Sequence, residues 1–180
     1  MICVGEKKIR IKQGNLTEEA TDAIVNPANS QLQHGGGAAR AIATRGGRII
    51  EEQSRSLIER IREVPVSKAV ITDAGNLPCK FVIHTVGPVW GEGDEPAKLR
   101  RAVWNVLALA ELYNLRSLSM PAISSGIFGF PKPLCAQVLL ETTREFLTQP
   151  GIMLNDVVMC NLDMETVQIF QEAEQSLLHE

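Results

Sequence analysis

Nothing in this sequence approaches the run of roughly 18 apolar residues that a membrane-spanning helix needs. Its start, Met1-Ile2-Cys3-Val4-Gly5-Glu6-Lys7-Lys8, has no long apolar stretch after a basic one, so neither a membrane anchor nor a secretory signal is expected there. Basic charge is not in excess: 18 Lys and Arg stand against 21 Asp and Glu, a formal net charge of −3. Direct nucleic-acid binding is therefore not expected. A small phosphorylated ligand stays open, because backbone N–H groups hold phosphate without basic side chains. No C-x-x-C pair occurs among Cys3, Cys79, Cys135 and Cys160, and each lies in or beside an apolar segment. That argues against a zinc cluster and against a disulfide framework. The expectation is buried thiols, no metal and a reducing compartment inside the cell, cytoplasmic or nuclear. Neither Gly-x-Gly-x-x-Gly nor a Gly-Lys-Ser/Thr phosphate loop is present, which disfavours a dinucleotide enzyme and a nucleoside-triphosphate hydrolase. There is no internal repeat, low-complexity tract or interdomain linker.

What is present fits one domain over residues 1–180, with 44% hydrophobic residues to build a core. Strand-like runs alternate with helical ones. Lys8–Lys12, Asp22–Asn26, Lys68–Thr72, Lys80–His84, Ser117–Pro121 and Asp156–Cys160 read as strands, most of them apolar on both faces. The first alternates apolar and polar residues, as an edge or half-buried strand does. Helical periodicity runs from Pro96 to Tyr113 through Leu99, Val103, Val106, Leu107 and Ala110. It returns through Cys135, Val138, Leu139, Thr142 and Phe146, and again through Val167, Phe170, Ala173 and Leu177, with Asp163 as N-cap. Gly46-Gly47 separates a helix starting near Gly36 from one over Ile49–Arg62. Alternation of this kind implies a layered α/β fold whose ligands bind beyond the carboxyl ends of the strands.

Two segments lie at such ends. In Val25-Asn26-Pro27-Ala28-Asn29-Ser30-Gln31-Leu32-Gln33-His34-Gly35-Gly36-Gly37-Ala38 a strand gives way to a loop, and three glycines open an alanine-rich helix. Glycine lets backbone approach a ligand closely, and the free N–H groups of a helix start favour an anion. Asn26 and Asn29 carry amides able to donate to and accept from ribose hydroxyls. Met120-Pro121-Ala122-Ile123-Ser124-Ser125-Gly126-Ile127-Phe128-Gly129 has the same layout, with Phe128 placed to cover a sugar. A Gly-Gly-Gly run alone is as often a flexible turn. The pair together, each after a buried strand, points to a diphosphate gripped from two sides.

These residues closely resemble a known pattern. Gly14-Asn15-Leu16-Thr17, Asp22 to Asn29, His34-Gly35-Gly36-Gly37, Val82-Ile83-His84-Thr85-Val86-Gly87-Pro88 and Pro121 to Gly129 resemble, in order, the signature of the macrodomain family. Leu77-Pro78-Cys79-Lys80 and Pro88-Val89-Trp90-Gly91 look like animal macrodomains attached to ADP-ribosyltransferases. The resemblance implies a three-layer α/β/α sandwich with a central mixed sheet. It implies ADP-ribose as ligand, free or carried by modified proteins, and no cofactor. Asn15 and Leu16 match positions that meet the adenine; Leu162 matches one where an aromatic ring often stacks on it. Asn29, beside Ala28, matches the residue that bonds the distal ribose. Gly35, Gly36, Gly37 and Ala38, with Ser124, Ser125, Gly126, Ile127 and Phe128, match the two loops that wrap phosphates and ribose. Two departures weaken the adenine end: Asn15 stands where Asp is common, and Leu162 where an aromatic is.

Binding is the preferred expectation. The alternative is removal of mono-ADP-ribose from acidic side chains without a side-chain Asp base, since Ala39 stands where one subgroup carries that Asp. Asn29, His34, Gly37 and Phe128 would then serve catalysis by orienting substrate and water. A protein-interaction module with a weak pocket is the third option. His34 is either a general base or a brace for its loop. His84 is expected to be structural, and a Cys79–His84 thiol dyad has little support. Glu51, Glu52, Arg55, Glu59, Arg60 and Arg62 read as a solvated helix face with i,i+4 pairs. Arg40 either rims the pocket or faces solvent, and Trp90 and Trp104 are expected to be packing residues.

Overall fold

A computed structural model describes residues 1–180. Seven strands form one sheet: β1 (Ile2–Val4), β2 (Lys7–Gln13), β3 (Ala23–Pro27), β4 (Ala69–Asp73), β5 (Phe81–Thr85), β6 (Ser117–Met120) and β7 (Asp156–Asn161). Five helices flank it: α1 (Gly37–Gly46), α2 (Arg48–Ile61), α3 (Glu95–Leu112), α4 (Lys132–Leu147) and α5 (Met164–Leu178). The strand order is β1-β2-β7-β6-β3-β5-β4. The five central strands run parallel, and β1 and β4 close the two edges antiparallel. The sheet is mixed and lies between two helical layers, so the expected α/β/α sandwich is the observed architecture.

Alternation along the strands divides the core. Val157 and Met159 of β7, with Ala23 and Val25 of β3, face a large cluster shared with α3, α4 and α5. Val158, Cys160 and Ile24 face a smaller cluster with Ile42 of α1 and Ile50 of α2. Both faces of the parallel strands are buried, which is why those strands read as nearly continuous apolar runs. Gly46 keeps α1 and α2 close to the turn after β4: a β-carbon there would lie 2.1 Å from Ile50 Cδ1 and 3.1 Å from the Ala74 carbonyl. Asp163 caps α5 as expected, accepting from the Thr166 N–H at 2.9 Å.

Three expectations change. Of the two readings of β2, the half-buried one holds and the edge one does not, because the three-residue β1 covers its outer side. Cys3, on that edge, is exposed, whereas Cys79, Cys135 and Cys160 are buried; all four are free thiols. On α2 the one i,i+4 ion pair is Arg48–Glu52 at 3.4 Å, and Glu51 and Arg55 stay unpaired beside a cavity of about 420 Å³. No helix is long and apolar enough to cross a membrane, and no three His, Cys, Asp or Glu side chains gather as a metal site.

Candidate ligand-binding site

Parallel β2, β7, β6 and β3 are consecutive in the sheet, so their carboxyl ends lie along one edge. At the strand spacing of ~4.8 Å, the stretch from β2 to β3 is about 14 Å long. Asn15 follows β2, Leu162 follows β7, the second glycine loop follows β6 and the first follows β3. Two loops that are some 90 residues apart in sequence thus leave neighbouring strands. All the residues expected to touch a ligand, from the adenine positions to Asn29, fall along this one edge.

The two loops share an electrostatic property. The backbone N–H groups of Gly35, Gly36 and Gly37 make no hydrogen bond within the protein, nor do those of Gly126, Ile127 and Phe128. β-carbons built on Gly35, Gly36, Gly37 or Gly126 would meet nothing within 4 Å, so the space above these backbones is open. Gly37, at φ 56°, and Gly129, at φ 73°, also need the left-handed backbone that glycine adopts readily. Gly37 is the first residue of α1, whose N-terminal dipole adds positive potential. Both loops thus carry free backbone donors, a grouping able to hold an anion without a basic side chain.

The first loop is braced from within. Asn29 is exposed, donates Nδ2 to the Gln33 carbonyl and accepts the Gln33 N–H at Oδ1, both at 2.9 Å. One N–H of its amide remains free for a ribose hydroxyl. Ala28 is buried and its N–H is spent on the Thr85 carbonyl. Ala38 is exposed in the first turn of α1, and Ala39 is buried behind it. No carboxylate occupies that turn. His34 is a loop brace: Nε2 lies 2.9 Å from Ser54 Oγ of α2 and Nδ1 lies 3.4 Å from Asn26 Nδ2. Burial holds its pKa below the ordinary imidazole value, against an opposing pull from Glu51. Arg40 is exposed and takes part in no ion pair.

The second loop is pinned at its root. Ser125 donates its hydroxyl and its N–H to the Ala122 carbonyl, at 2.7 and 3.2 Å. Ser124 is buried and its hydroxyl has no partner. Ile127 is fully exposed and Phe128 half-buried. Two supports were not expected from the sequence. Trp90, whose ring packs edge-on to Phe130 at 5.1 Å as expected of a packing residue, also donates its backbone N–H to the Phe128 carbonyl at 2.8 Å. Asn161, a polar residue ending an apolar strand, accepts the Ala122 N–H at 2.9 Å. Trp104 packs edge-on against Phe146 at 5.0 Å, far from the loops in the helical layer.

At the other end, Asn15 caps the short 3-10 turn Leu16–Glu18. Its Oδ1 accepts from the Thr17 N–H at 3.0 Å and the Thr17 hydroxyl at 2.7 Å. The carbonyl expected to meet adenine is thus already engaged. The Leu16 side chain is buried among Ile24, Val158 and Cys160, so it offers a ligand mainly its backbone. Leu162 is 73% exposed. Asn26 does not reach the cleft at all: it is fully buried and turned toward His84 and His34. Period-2 alternation explains this, since Asn26 shares the face of Ile24. Cys79 and His84 form no dyad. Burial pushes the Cys79 thiol up to about 11, and both His84 nitrogens are taken by Asn26 and Thr72.

A family model described as Macro domain matches residues 25–139, from the end of β3 into α4. The chain belongs to the Macro domain family. This macrodomain is 48% identical over 169 residues to an uncharacterized protein of Thermotoga maritima, covering 92% of this chain and 28% of that protein's length. It is 39% identical over 166 residues to an O-acetyl-ADP-ribose deacetylase 1 of Pantoea vagans, covering 91% of this chain and 96% of that one. A mutant of the Oceanobacillus iheyensis macrodomain with ADPR superposes with a TM-score of 0.95 at 29% identity, covering 99% of this chain and 98% of the other. These relatives are bacterial, and the finer likeness to animal multidomain proteins gains no support from them.

Proposed function

We propose that this macrodomain binds ADP-ribose along the strand-end edge, with the diphosphate between the two glycine loops, the distal ribose at Asn29 and the adenine toward Asn15 and Leu162. The observation that carries this is the pair of open glycine backbones with unpaired N–H groups on adjacent parallel strands. The bound ADPR in the Oceanobacillus iheyensis relative supports it. Calorimetric titration of ADP-ribose tests it. Gly126 does not adopt the left-handed backbone and has open space before it, so Gly126→Glu leaves the fold intact and places a carboxylate where the diphosphate would lie. Heat from the native domain and none from the variant is the expected result. No heat from the native domain at high ligand would leave a protein-interaction module in its place.

A second activity is hydrolysis of an ester at the distal ribose, as in O-acetyl-ADP-ribose or mono-ADP-ribose on acidic residues of proteins. The name of the Pantoea vagans relative favours it. With Ala39 buried and no carboxylate in the first turn of α1, no side-chain base is at hand. The chain would act by holding the ribose at Asn29 and orienting water between the loops near Gly37 and Phe128. His34, bonded at both ring nitrogens, would act as a brace in that scheme. Incubation with a protein mono-ADP-ribosylated on acidic residues tests this. Label that persists at catalytic levels rejects action on modified proteins, and loss that Asn29→Ala abolishes supports it.

A further inference from the structure

Behind the first glycine loop lies a buried polar chain that ligand binding does not use. Asn26 of β3 and His84 of β5 are register partners. Asn26 Nδ2 lies 3.0 Å from His84 Nδ1 and 3.4 Å from His34 Nδ1. The outer nitrogens end on hydroxyls: His34 Nε2 on Ser54 of α2 at 2.9 Å, and His84 Nε2 on Thr72 of β4 at 2.8 Å. The two rings stack with centroids 5.4 Å apart. Thr72 donates its own proton to the Asp73 carbonyl at 3.1 Å, so it accepts from His84. His84 therefore carries its proton on Nε2, and its Nδ1 is an acceptor. Both Nδ1 atoms are within reach of the two amide protons of Asn26, an arrangement that suits neutral Nε2–H tautomers of both rings. Asn26 Oδ1, buried on the other side, has no partner.

A buried carbonyl without a partner calls for an explanation. A half-turn of the Asn26 amide exchanges which atom is left over: Oδ1 then faces both Nδ1 atoms and accepts from both, and Nδ2 takes the unpartnered side. That state needs a proton on each Nδ1. His34, which is only partly buried, takes one from solvent and becomes an imidazolium. His84 stays neutral: it gains a proton on Nδ1 and gives one up from Nε2, and Thr72 turns to donate its hydroxyl to Nε2. One proton is taken up in all.

We infer that Asn26 is the positioning residue of the first glycine loop, and that its amide reverses as a unit with His84 and Thr72 when His34 is protonated. Charged groups on three elements surround the His34 ring and its partners. Glu51 and Arg55 of α2 line the same cavity as His34, one attracting and one repelling the cation. His84 faces His34 from β5, and Asp73 lies beyond Thr72. An imidazolium is drawn toward Glu51 and solvent, and Gly35, next to it in the chain, moves with it. Burial lowers the pKa of both rings, that of His84 to about 3, so His34 is the one that titrates first. The transition falls below pH 6.5.

Nitrogen NMR of 15N-labelled imidazoles in the ligand-free domain, from pH 8 downward, tests the relay without reference to any ligand. At pH 8 both buried rings are expected as Nε2–H tautomers. As His34 protonates, His84 is expected to exchange Nε2–H for Nδ1–H at the same midpoint while staying neutral. Amide exchange at Gly35–Gly37 should quicken there too. An Nδ1–H tautomer of either ring at pH 8, or a His84 that keeps Nε2–H through the His34 titration, overturns the inference. In Asn26→Ala the two rings should titrate without reference to each other; a His84 shift that still tracks His34 also overturns it. The functional consequence rests on the ADP-ribose proposal: affinity should fall about tenfold per pH unit below the same midpoint. Absence of ADP-ribose binding at every pH defeats that proposal alone, since the imidazole signals decide the relay by themselves.

Discussion

Ser124 sets its hydroxyl over Gly87, so close that a β-carbon on Gly87 would lie 2.0 Å from Ser124 Oγ and 2.9 Å from Ile123 Cγ2. Gly87 follows β5 and Ser124 opens the second ligand loop, so the missing side chain at one position seats the other. Ser124 also holds φ at 66°, an uncommon backbone for a residue with a side chain. Strain and an orphan hydroxyl together at the root of a loop mark a place where the fold gives up stability for geometry. Gly87→Ala should therefore displace the loop. The expected cost is about 1–3 kcal/mol in stability, with weaker ADP-ribose binding, read by thermal unfolding and calorimetry. An unchanged melting temperature would show that the contact is easily relieved.

Much of this arrangement was legible in the chain. Six of the seven strands announce themselves as apolar runs, three helices by period, α1 and α2 by the glycines between them, and the two glycine loops by their place after apolar runs. β1 escapes because three residues carry no period. The adjacency of β3 and β6, which makes one site of two loops, is a fact of topology that no local pattern encodes. Asn26 misleads for a local reason: its type suits a ribose, yet strand alternation turns it inward. The signal was there, since Asn26 and His84 are polar residues at inward positions of two apolar strands. Such residues need each other when neither can reach water.

Asn15 invites a charge. Its Oδ1 already accepts from Thr17 twice, leaving an amide that can donate but not accept toward a base. In Asn15→Asp one oxygen would keep the cap on the 3-10 turn and the other would face an exocyclic amine. Charge-assisted bonds exceed neutral ones by about 1 kcal/mol, so ADP-ribose should bind roughly fivefold more tightly. Inosine diphosphate ribose, which lacks that amine, should gain nothing. Equal gains for both ligands would place the base elsewhere.

Leu162 offers the second route to affinity. Its side chain is largely exposed, while its carbonyl accepts from Gln13 Nε2 at 3.2 Å. Replacing the side chain leaves that backbone bond in place. Leu162→Tyr should add an aromatic face for the adenine, worth about 0.5–1.5 kcal/mol, seen as a lower Kd by calorimetry. Ribose 5-phosphate, which has no base, serves as the control and should bind native and variant alike.

Acid should destabilise the fold in two windows that begin at different pH and overlap only near their lower end. His84 is buried and neutral with its pKa lowered to about 3 by burial, then by His34. The unfolded chain protonates the same ring near 6.5. Between those values the unfolded state binds more protons, so stability is intact above pH 6.5 and declines as pH falls below it. The decline can reach about 1.4 kcal/mol per pH unit for His84, and His34, partly solvated, adds less. The second window lies lower. Burial raises the Asp22 carboxyl, but the Arg116 and Ser117 N–H groups and Lys80 outweigh it and leave its pKa lowered. Its stabilisation persists above the ordinary 3.8 and is lost as pH falls below that value. Urea unfolding at a series of pH values separates the two. A free energy that stays level from pH 6.5 to 4.5 would mean that the histidines are not held neutral. A slope over that range in native protein, flattened in His84→Gln, would locate it at the ring between Asn26 and Thr72.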